Sequence, residues 1–372
     1  MDDFLRVKLL LNACKAPLSA WESLKAQGIE AFLAGPDEAL LKSLGIRPSS
    51  RARLMELCAE RDWPERELDR TDKFEARFVT ADDPDYPSRL KDLPQPPIGL
   101  YVKGRLDAES PSLAIVGTRR CSVYGRTVAE TVGRAAARAG CQVVSGGAKG
   151  IDAAGHRGCL AEGGVTAAVL GTAVDRVYPA EHHSLFREIA ERGALVSEYP
   201  MGTGGEAWRF PDRNRLIAGL CGRAVVVESP EDGGSMITAR LALNLGREIW
   251  CVPGRITESS AKGSNALIRD GANALIDIDD FIEKISSRYG QMFLDFGEGS
   301  SLAPPLTAEP PAALSANEKA VLELLRRKGG RTLDDLMAES GLGFAEAQSC
   351  LAALCAADLV YSSGPGRYSA GL

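Results

Sequence analysis

Gln142-Val143-Val144-Ser145-Gly146-Gly147-Ala148-Lys149-Gly150-Ile151-Asp152 is the stretch on which the fold of this chain turns. A short β-prone run from Gln142 to Ser145 enters a glycine-rich turn, and the turn opens an apolar helix. Outward from it the alternation recurs, with further β-rich runs at Leu113 to Val116, Val165 to Leu170, Ala194 to Ser197, Ala224 to Glu228 and Glu248 to Val252. Small-residue helical stretches lie between them. Strands so uniformly apolar are covered on both faces, as parallel strands are. The pattern predicts an α/β fold with a Rossmann-like, doubly wound, mostly parallel sheet.

That domain is expected over 74–290, beginning in a connector that Pro84, Pro87, Pro94, Pro96 and Pro97 hold extended. Before it, 1–66 shows short helical periodicity broken by Gly28, Gly35, Pro36, Gly45 and Pro48, which predicts an N-terminal helical module, SAM-like or helix-hairpin-helix-like. Within the module, Leu41 to Ile46 followed by Ser50, Arg51 and Arg53 reads either as a phosphate-binding hairpin turn or, preferably, as an ordinary helix connection. After the large domain, 291–312 has the composition of a flexible linker and 313–372 reads as a winged helix. Its first helix starts from the capping box Ser315-Ala316-Asn317-Glu318, Thr332 caps the second, and the third spans about 344–357. The third helix carries no Lys or Arg, so it is not built to read duplex DNA. Docking or an accessory role is expected instead, with Arg326, Arg327, Lys328, Arg331 and Arg367 as basic contacts.

Composition sets limits on function. The net charge of −6 argues against nucleic-acid coating over the whole surface, so any DNA site is expected to be local, although the number by itself excludes no function class. No basic n-region precedes an apolar stretch and no apolar run reaches the length of a bilayer span; a cytoplasmic protein without membrane contact is expected. Nine cysteines without a Cys-x-x-Cys pair and only three histidines offer no metal-ligand spacing, and neither a metal nor a cofactor is expected.

The chemistry is carried by the loops at the strand ends. Arg119 and Arg120 follow Ile115-Val116-Gly117-Thr118, where guanidinium forks suit phosphate oxygens. The spacing is not Gly-x-Gly-x-x-Gly, and the next strand ends in Ser145 and Gly146 without a ribose-binding carboxylate, which argues against a dinucleotide. The loop of Ser145, Gly146, Gly147, Lys149 and Gly150 lacks the Gly-x-x-x-x-Gly-Lys-Ser/Thr spacing of magnesium-dependent ATP hydrolysis. Phosphate binding is preferred to a mere packing turn because Lys149 sits where a core turn needs no charge. Asp152 and His156 share a helical face, read as a capping carboxylate beside a half-buried histidine rather than an acid–base pair. Arg213, Asn214 and Arg215 follow Trp208 and Phe210, an interleaving of cations and flat faces that single strands require. A helix start tied to the sheet by arginine hydrogen bonds accounts for that run equally well. Loops after successive parallel strands meet at one sheet edge, so these residues are expected in one pocket.

Taken together, Ile115 to Arg119, Ser145 to Asp152, Leu170-Gly171-Thr172 with Tyr178-Pro179, Arg213 to Leu220, Val252-Pro253-Gly254 and Gly263 to Ile268 resemble the DNA-processing protein A family, also called DprA or Smf. The resemblance covers about 74–285. It implies a homodimer, formed through the later part of the Rossmann-like domain, that binds and protects incoming single-stranded DNA in natural transformation and loads the RecA recombinase. It further implies that Arg119, the loop from Ser145 to Gly150 and the run from Arg213 to Arg215 line the DNA pocket. One departure stands out: members carry basic or Asn residues after the Tyr-Pro pair, whereas this chain has Ala180-Glu181-His182-His183. The rival reading is a nucleotide-processing hydrolase of the lysine-decarboxylase-like group. Its Pro-Gly-Gly-x-Gly-Thr-x-x-Glu motif is matched only by Asp232 to Thr238, without the Pro or the Glu. No catalytic residue is therefore expected. A third reading is a scaffold with a vestigial pocket.

Overall fold

The computed structural model describes residues 2–294, 315–328, 331–356, 360–364 and 367–370. The chain divides into two compact units, Met1–Phe296 and Gly297–Leu372.

The first unit opens with six helices: α1 (Asp3–Ala13), α2 (Leu18–Gln27), α3 (Glu30–Leu33), α4 (Glu38–Ser43), α5 (Pro48–Ala59) and α6 (Trp63–Lys73). Local chemistry sets their starts. Asp37 accepts from the Leu40 amide at 2.7 Å, and Pro48 and Pro64 occupy first-turn positions where no amide bond is lost. Val7, Leu11, Trp21, Phe32, Leu41 and Leu54 bury together as the core of this module. The hairpin-like turn between α4 and α5 is closed internally, for Arg51 donates to the Ile46 carbonyl and pairs with Glu38. Helix α6 carries the helical module past residue 66, to Lys73.

Nine strands follow: β1 (Ala76–Thr80), β2 (Gly99–Gly104), β3 (Ser112–Val116), β4 (Gln142–Ser145), β5 (Thr166–Val169), β6 (Ala194–Ser197), β7 (Arg223–Val226), β8 (Glu248–Cys251) and β9 (Asn273–Ala274). Their spatial order is β1-β2-β6-β5-β4-β3-β7-β8-β9. From β6 to β9 every neighbour is parallel, with registers such as Ala114↔Val144 and Ala114↔Ala224. The hairpin β1–β2 adds antiparallel to β6. The interleaved helices are α7 (Val123–Arg138), α8 (Ile151–Ala161), α9 (His183–Arg192), α10 (Arg209–Leu220), α11 (Gly234–Asn244), α12 (Lys262–Arg269) and α13 (Ile278–Leu294). Side chains of α7, α8 and α13 cover one face through Val132, Ile151 and Phe281; those of α10 and α11 cover the other through Leu216, Ile217 and Ala239. The sheet is thus the expected α/β arrangement, with six of its strands where the apolar runs placed them.

Three local departures have physical causes. The proline-rich connector is not simply extended: it folds into a 3-10 turn at Ser88–Asp92, because Tyr86, Leu90 and Leu93 are pulled into the core and the Tyr86 hydroxyl reaches the Pro97 carbonyl at 2.7 Å. The edge strand β1 and its neighbour β2, which the apolar runs did not mark, flank that connector on either side. Helix α13 continues to Leu294, so residues 291–294 of the expected linker are helical; its remainder to 312 lies outside the described residues.

In the second unit, α14 (Ala316–Lys328), β10 (Arg331–Thr332), α15 (Leu333–Ser340), α16 (Phe344–Ala356), β11 (Val360–Gly364) and β12 (Arg367–Ala370) form three helices on a three-stranded sheet of order β10-β12-β11. Val321, Leu325, Leu336, Leu351 and Leu354 make its core. Ser315 and Glu318 bond reciprocally at the head of α14, and Thr332 and Asp335 do so at α15. Arg331 lies 3.6 Å from Glu339; the side chains of Arg326, Arg327, Lys328 and Arg367 lie outside the described residues.

Candidate nucleic-acid interface

The chain winds outward from β3 through β4, β5 and β6 in one direction and through β7, β8 and β9 in the other. The order therefore reverses between β3 and β7, and beyond the carboxyl ends of the strands such a reversal leaves a crevice. A cavity of about 600 Å³ occupies it, lined by Val116 to Arg120, Asp152, Tyr178, Phe210, Arg213, Asn214 and, from the loop after β7, Pro230, Gly233, Gly234 and Ser235. An adjoining recess of about 320 Å³ shares Arg119, Arg120, Tyr178 and Arg213 and adds Gly146 and Lys149.

The loop after β3 is fixed from beneath. The Thr118 amide donates to the Glu228 carbonyl at 2.7 Å, and the Glu228 carboxylate accepts from the Ser122 amide at 2.8 Å and from the Ser260 hydroxyl at 3.1 Å. Gly150, at φ +80°, lets the head of α8 lie directly against Thr118 and Arg119; a Cβ there would strike both carbonyl oxygens. Arg119 and Arg120 are consequently presented outward. Both are exposed and neither forms an ion pair with any described residue, while the Arg119 guanidinium stands 5.2 Å over the Phe210 ring. Tyr178 packs on Phe210 with centroids 5.2 Å apart and leaves 49% of its surface open.

The loop after β4 divides its labour differently. Ser145 is fully buried and donates to the Ile115 carbonyl at 2.6 Å, so its hydroxyl braces strands. The Gly146 and Ala148 amides both donate to Asp152 Oδ2, at 3.1 and 3.3 Å. Gly147 offers its carbonyl to His182 Nδ1 at 2.9 Å. Two of the amides that a phosphate would seek are thus already satisfied, and cationic side chains must do more of the work. Lys149 is exposed on the rim, 2.7 Å from Glu181.

Arg213 forms the buried floor. It donates to the Gly146 carbonyl at 2.7 Å and to the Val169 carbonyl, tying α10 to the ends of β4 and β5. Burial lowers its pKa to about 10, opposed by Asp152 and reinforced by Arg119, so it stays charged at neutral pH. Burial pushes the Asp152 carboxyl up against the pull of Arg213 and the two amides. Asn214 reaches the Gly234 carbonyl at 3.2 Å, holding the head of α11. Arg215 leaves the crevice altogether, bonding Glu198 at 2.5 Å and the Gln95 carbonyl at 3.0 Å. Asp152 and His156 do not meet: His156 is fully buried with Nδ1 2.6 Å from Thr166 Oγ1. Among the described residues no group of His, Cys, Asp or Glu is disposed to hold a metal ion.

Residues 77–286 match the model of a family described as DNA recombination-mediator protein A. The chain belongs to this family. It is 34% identical over 322 residues to the Protein Smf of Synechocystis sp., covering 78% of this chain and 79% of that one. The X-ray structure of DNA processing protein A from Streptococcus pneumoniae superposes with a TM-score of 0.64 at 31% identity, covering 75% of this chain and 94% of that chain. DNA processing protein A from Helicobacter pylori, solved for its single-stranded DNA binding mode, gives 0.53 at 30% identity over 57% of this chain and 97% of that chain. In this DNA recombination-mediator protein A member the crevice gathers Arg119, Arg120, Gly146, Lys149, Arg213 and Asn214. It turns Ser145 and Arg215 to internal bonds. Sequence reasoning gave Tyr178 no role of its own, although an exposed aromatic beside a strand-end loop was the available signal. At the position of the family departure, His182 is buried against the glycine loop, and Glu181 faces Lys149 with a negative charge.

Proposed function

We propose that this family member binds single-stranded DNA in the switch-point crevice without catalysing a reaction. It shields the strand and passes it to the RecA recombinase during natural transformation, acting in the cytoplasm as a homodimer formed through the later part of the Rossmann-like domain. The observation that carries this reading is the meeting, at one sheet edge, of two exposed guanidiniums without ion pairs to described residues, Arg119 and Arg120, with the exposed Tyr178 ring and the Phe210 ring on which it packs. Cations for the backbone and rings for the bases are what a single strand needs. The only carboxylate lining the crevice among the described residues is Asp152, which is buried and engaged by two amides, so a hydrolytic carboxylate is lacking there. That favours binding over the nucleotide-hydrolase reading.

Titration of single- and double-stranded oligonucleotides at low and physiological salt tests it, with nucleotides assayed for hydrolysis in parallel. Single strands are expected to bind more tightly, with affinity falling steeply as salt rises and no nucleotide turnover. Equal, weak binding of both forms contradicts the proposal, as does turnover.

A further inference from the structure

We propose that the DNA site continues beyond the crevice, across the head of α10, into a second cleft between the helical module and the loops that follow β5 and β6. This extension rests on the crevice reading above. The cleft has a volume of about 880 Å³. Arg47 at the head of α5, Arg53 within it and Arg70 of α6 line it, and Arg176 faces them from the loop after β5. Arg47, Arg70 and Arg176 are exposed and form no ion pair with any described residue. Arg53 pairs only with Glu56, both side chains more than half exposed, an arrangement that phosphate displaces at little cost. The one carboxylate lining the cleft among the described residues, Glu67, is 1% exposed and accepts the Met201 amide at 2.6 Å. In a chain of net charge −6 this concentration of uncompensated cations marks a place for an anion.

Two features identify the anion as a single strand. Trp63 and Trp208 line the same cleft, and Trp208 is 54% exposed, so bases have flat surfaces to meet. The segment from Ala207 to Phe210 also joins the two sites: Ala207 and Phe210 line the crevice while Trp208 and Arg209 line the cleft. The interleaving of cations and aromatics legible in the sequence is thus split between two adjacent surfaces. A neighbouring recess shares Arg70 and Arg176 and ends at Asp175 and at Lys73, which pairs with Asp69 at 2.6 Å, so the unpaired arginines belong to the cleft. An acidic protein would answer to the charge alone; the exposed indole and the continuity with the crevice favour the strand.

The test compares oligothymidylates of about 6 and about 25 nucleotides, the first within and the second beyond the span of a single compact site, on the full chain and on a triple variant with Arg47→Ala, Arg70→Ala and Arg176→Ala. Thermal unfolding of the variant should match wild type, since all three side chains are exposed and unpaired. Its affinity for the long oligonucleotide should fall about tenfold or more, with the salt slope reduced by about 2, while the short one binds as before. Wild-type binding of both lengths by the variant overturns the proposal and leaves the cleft to another partner, such as an acidic protein. Equal loss on both lengths also overturns it, because the arginines would then belong to the crevice. Failure of the crevice reading looks different: the short oligonucleotide would bind the full chain without regard to Arg119→Ala.

Discussion

Lys149 and Glu181 stand 2.7 Å apart on the rim of the crevice, each more than half exposed. Exposed pairs of this kind contribute little to stability, so the ammonium can exchange its carboxylate for a phosphate at small cost. Glu181→Gln removes that competitor together with a charge that repels the backbone. Single-strand affinity should rise severalfold at low salt with thermal stability unchanged, read by anisotropy and a melting curve. Unchanged affinity would show that Lys149 does not meet DNA. At the same scale, Arg213 and Arg215 show what the sequence could not convey. Residues two apart on a helix point about 200° apart, so one guanidinium enters the floor of the crevice while the other turns to Glu198. The motif was legible; the partition of its arginines required the helix to be placed.

The docking of the helical module on the sheet follows from a few buried polar contacts. Asn12 donates to the Glu198 carbonyl and accepts from the Gly99 amide, both at 3.0 Å. Lys15 pairs with Glu198 at 2.9 Å and with Asp212. Arg215 completes this network, and removing it leaves Glu198 with Lys15 alone and deprives the buried carboxylate of a charged hydrogen bond, at a cost of about 2 kcal/mol. Arg215→Ala is therefore expected to lower the melting temperature by several degrees and to leave the short-oligonucleotide affinity unaltered in the folded protein. Lost affinity without lost stability would return Arg215 to the DNA site. The strands that pair with this network, β1 and β2, were not legible in the sequence because each borders the proline-rich connector. The central strands were legible because burial on both faces makes them uninterrupted apolar runs. The two-residue β9 was too short to leave any pattern.

Acid response belongs to the same scale. His156 is buried inside the α8 layer, and burial, aided by the positive charges of His182, Arg213 and Arg157, lowers its pKa to about 3. The unfolded imidazole takes up a proton near pH 6.5, whereas the folded one refuses it until about pH 3. Stability is thus full above 6.5 and declines as pH falls through that window. Asp82 adds nothing until lower pH: burial opposes its ionisation, but hydrogen bonds from Lys25, Lys8 and Trp21 hold its carboxyl well below the usual range. Its contribution is lost only as pH falls below the ordinary carboxylate pKa. Between pH 6.5 and 5 the histidine alone predicts a loss of about 2 kcal/mol. Urea unfolding at pH 7 and pH 5 should show that loss in wild type and a smaller one in His156→Gln. Equal responses would contradict the assignment.

At the scale of the whole molecule, an acidic chain presents two exposed arginines, Arg119 and Arg120, without an ion pair to any described residue at the edge where the sheet's winding reverses. The sequence located that edge because glycine-rich turns and arginines follow apolar strands, and because cations at strand ends serve no packing purpose. It marked Asp152 as a capping carboxylate without assigning it the Gly146 and Ala148 amides, and it did not reveal that Tyr178 would fold over Phe210, since that depends on loops brought together from distant positions. The most direct test of the account is single-stranded oligonucleotide binding by a double variant with Arg119→Ala and Arg120→Ala, beside Arg215→Ala as an internal control. The account predicts affinity lowered about tenfold or more by the double variant, with a shallower salt dependence and an unchanged melting temperature, while Arg215→Ala binds like wild type. Undiminished binding by the double variant would contradict it and move the strand away from the crevice.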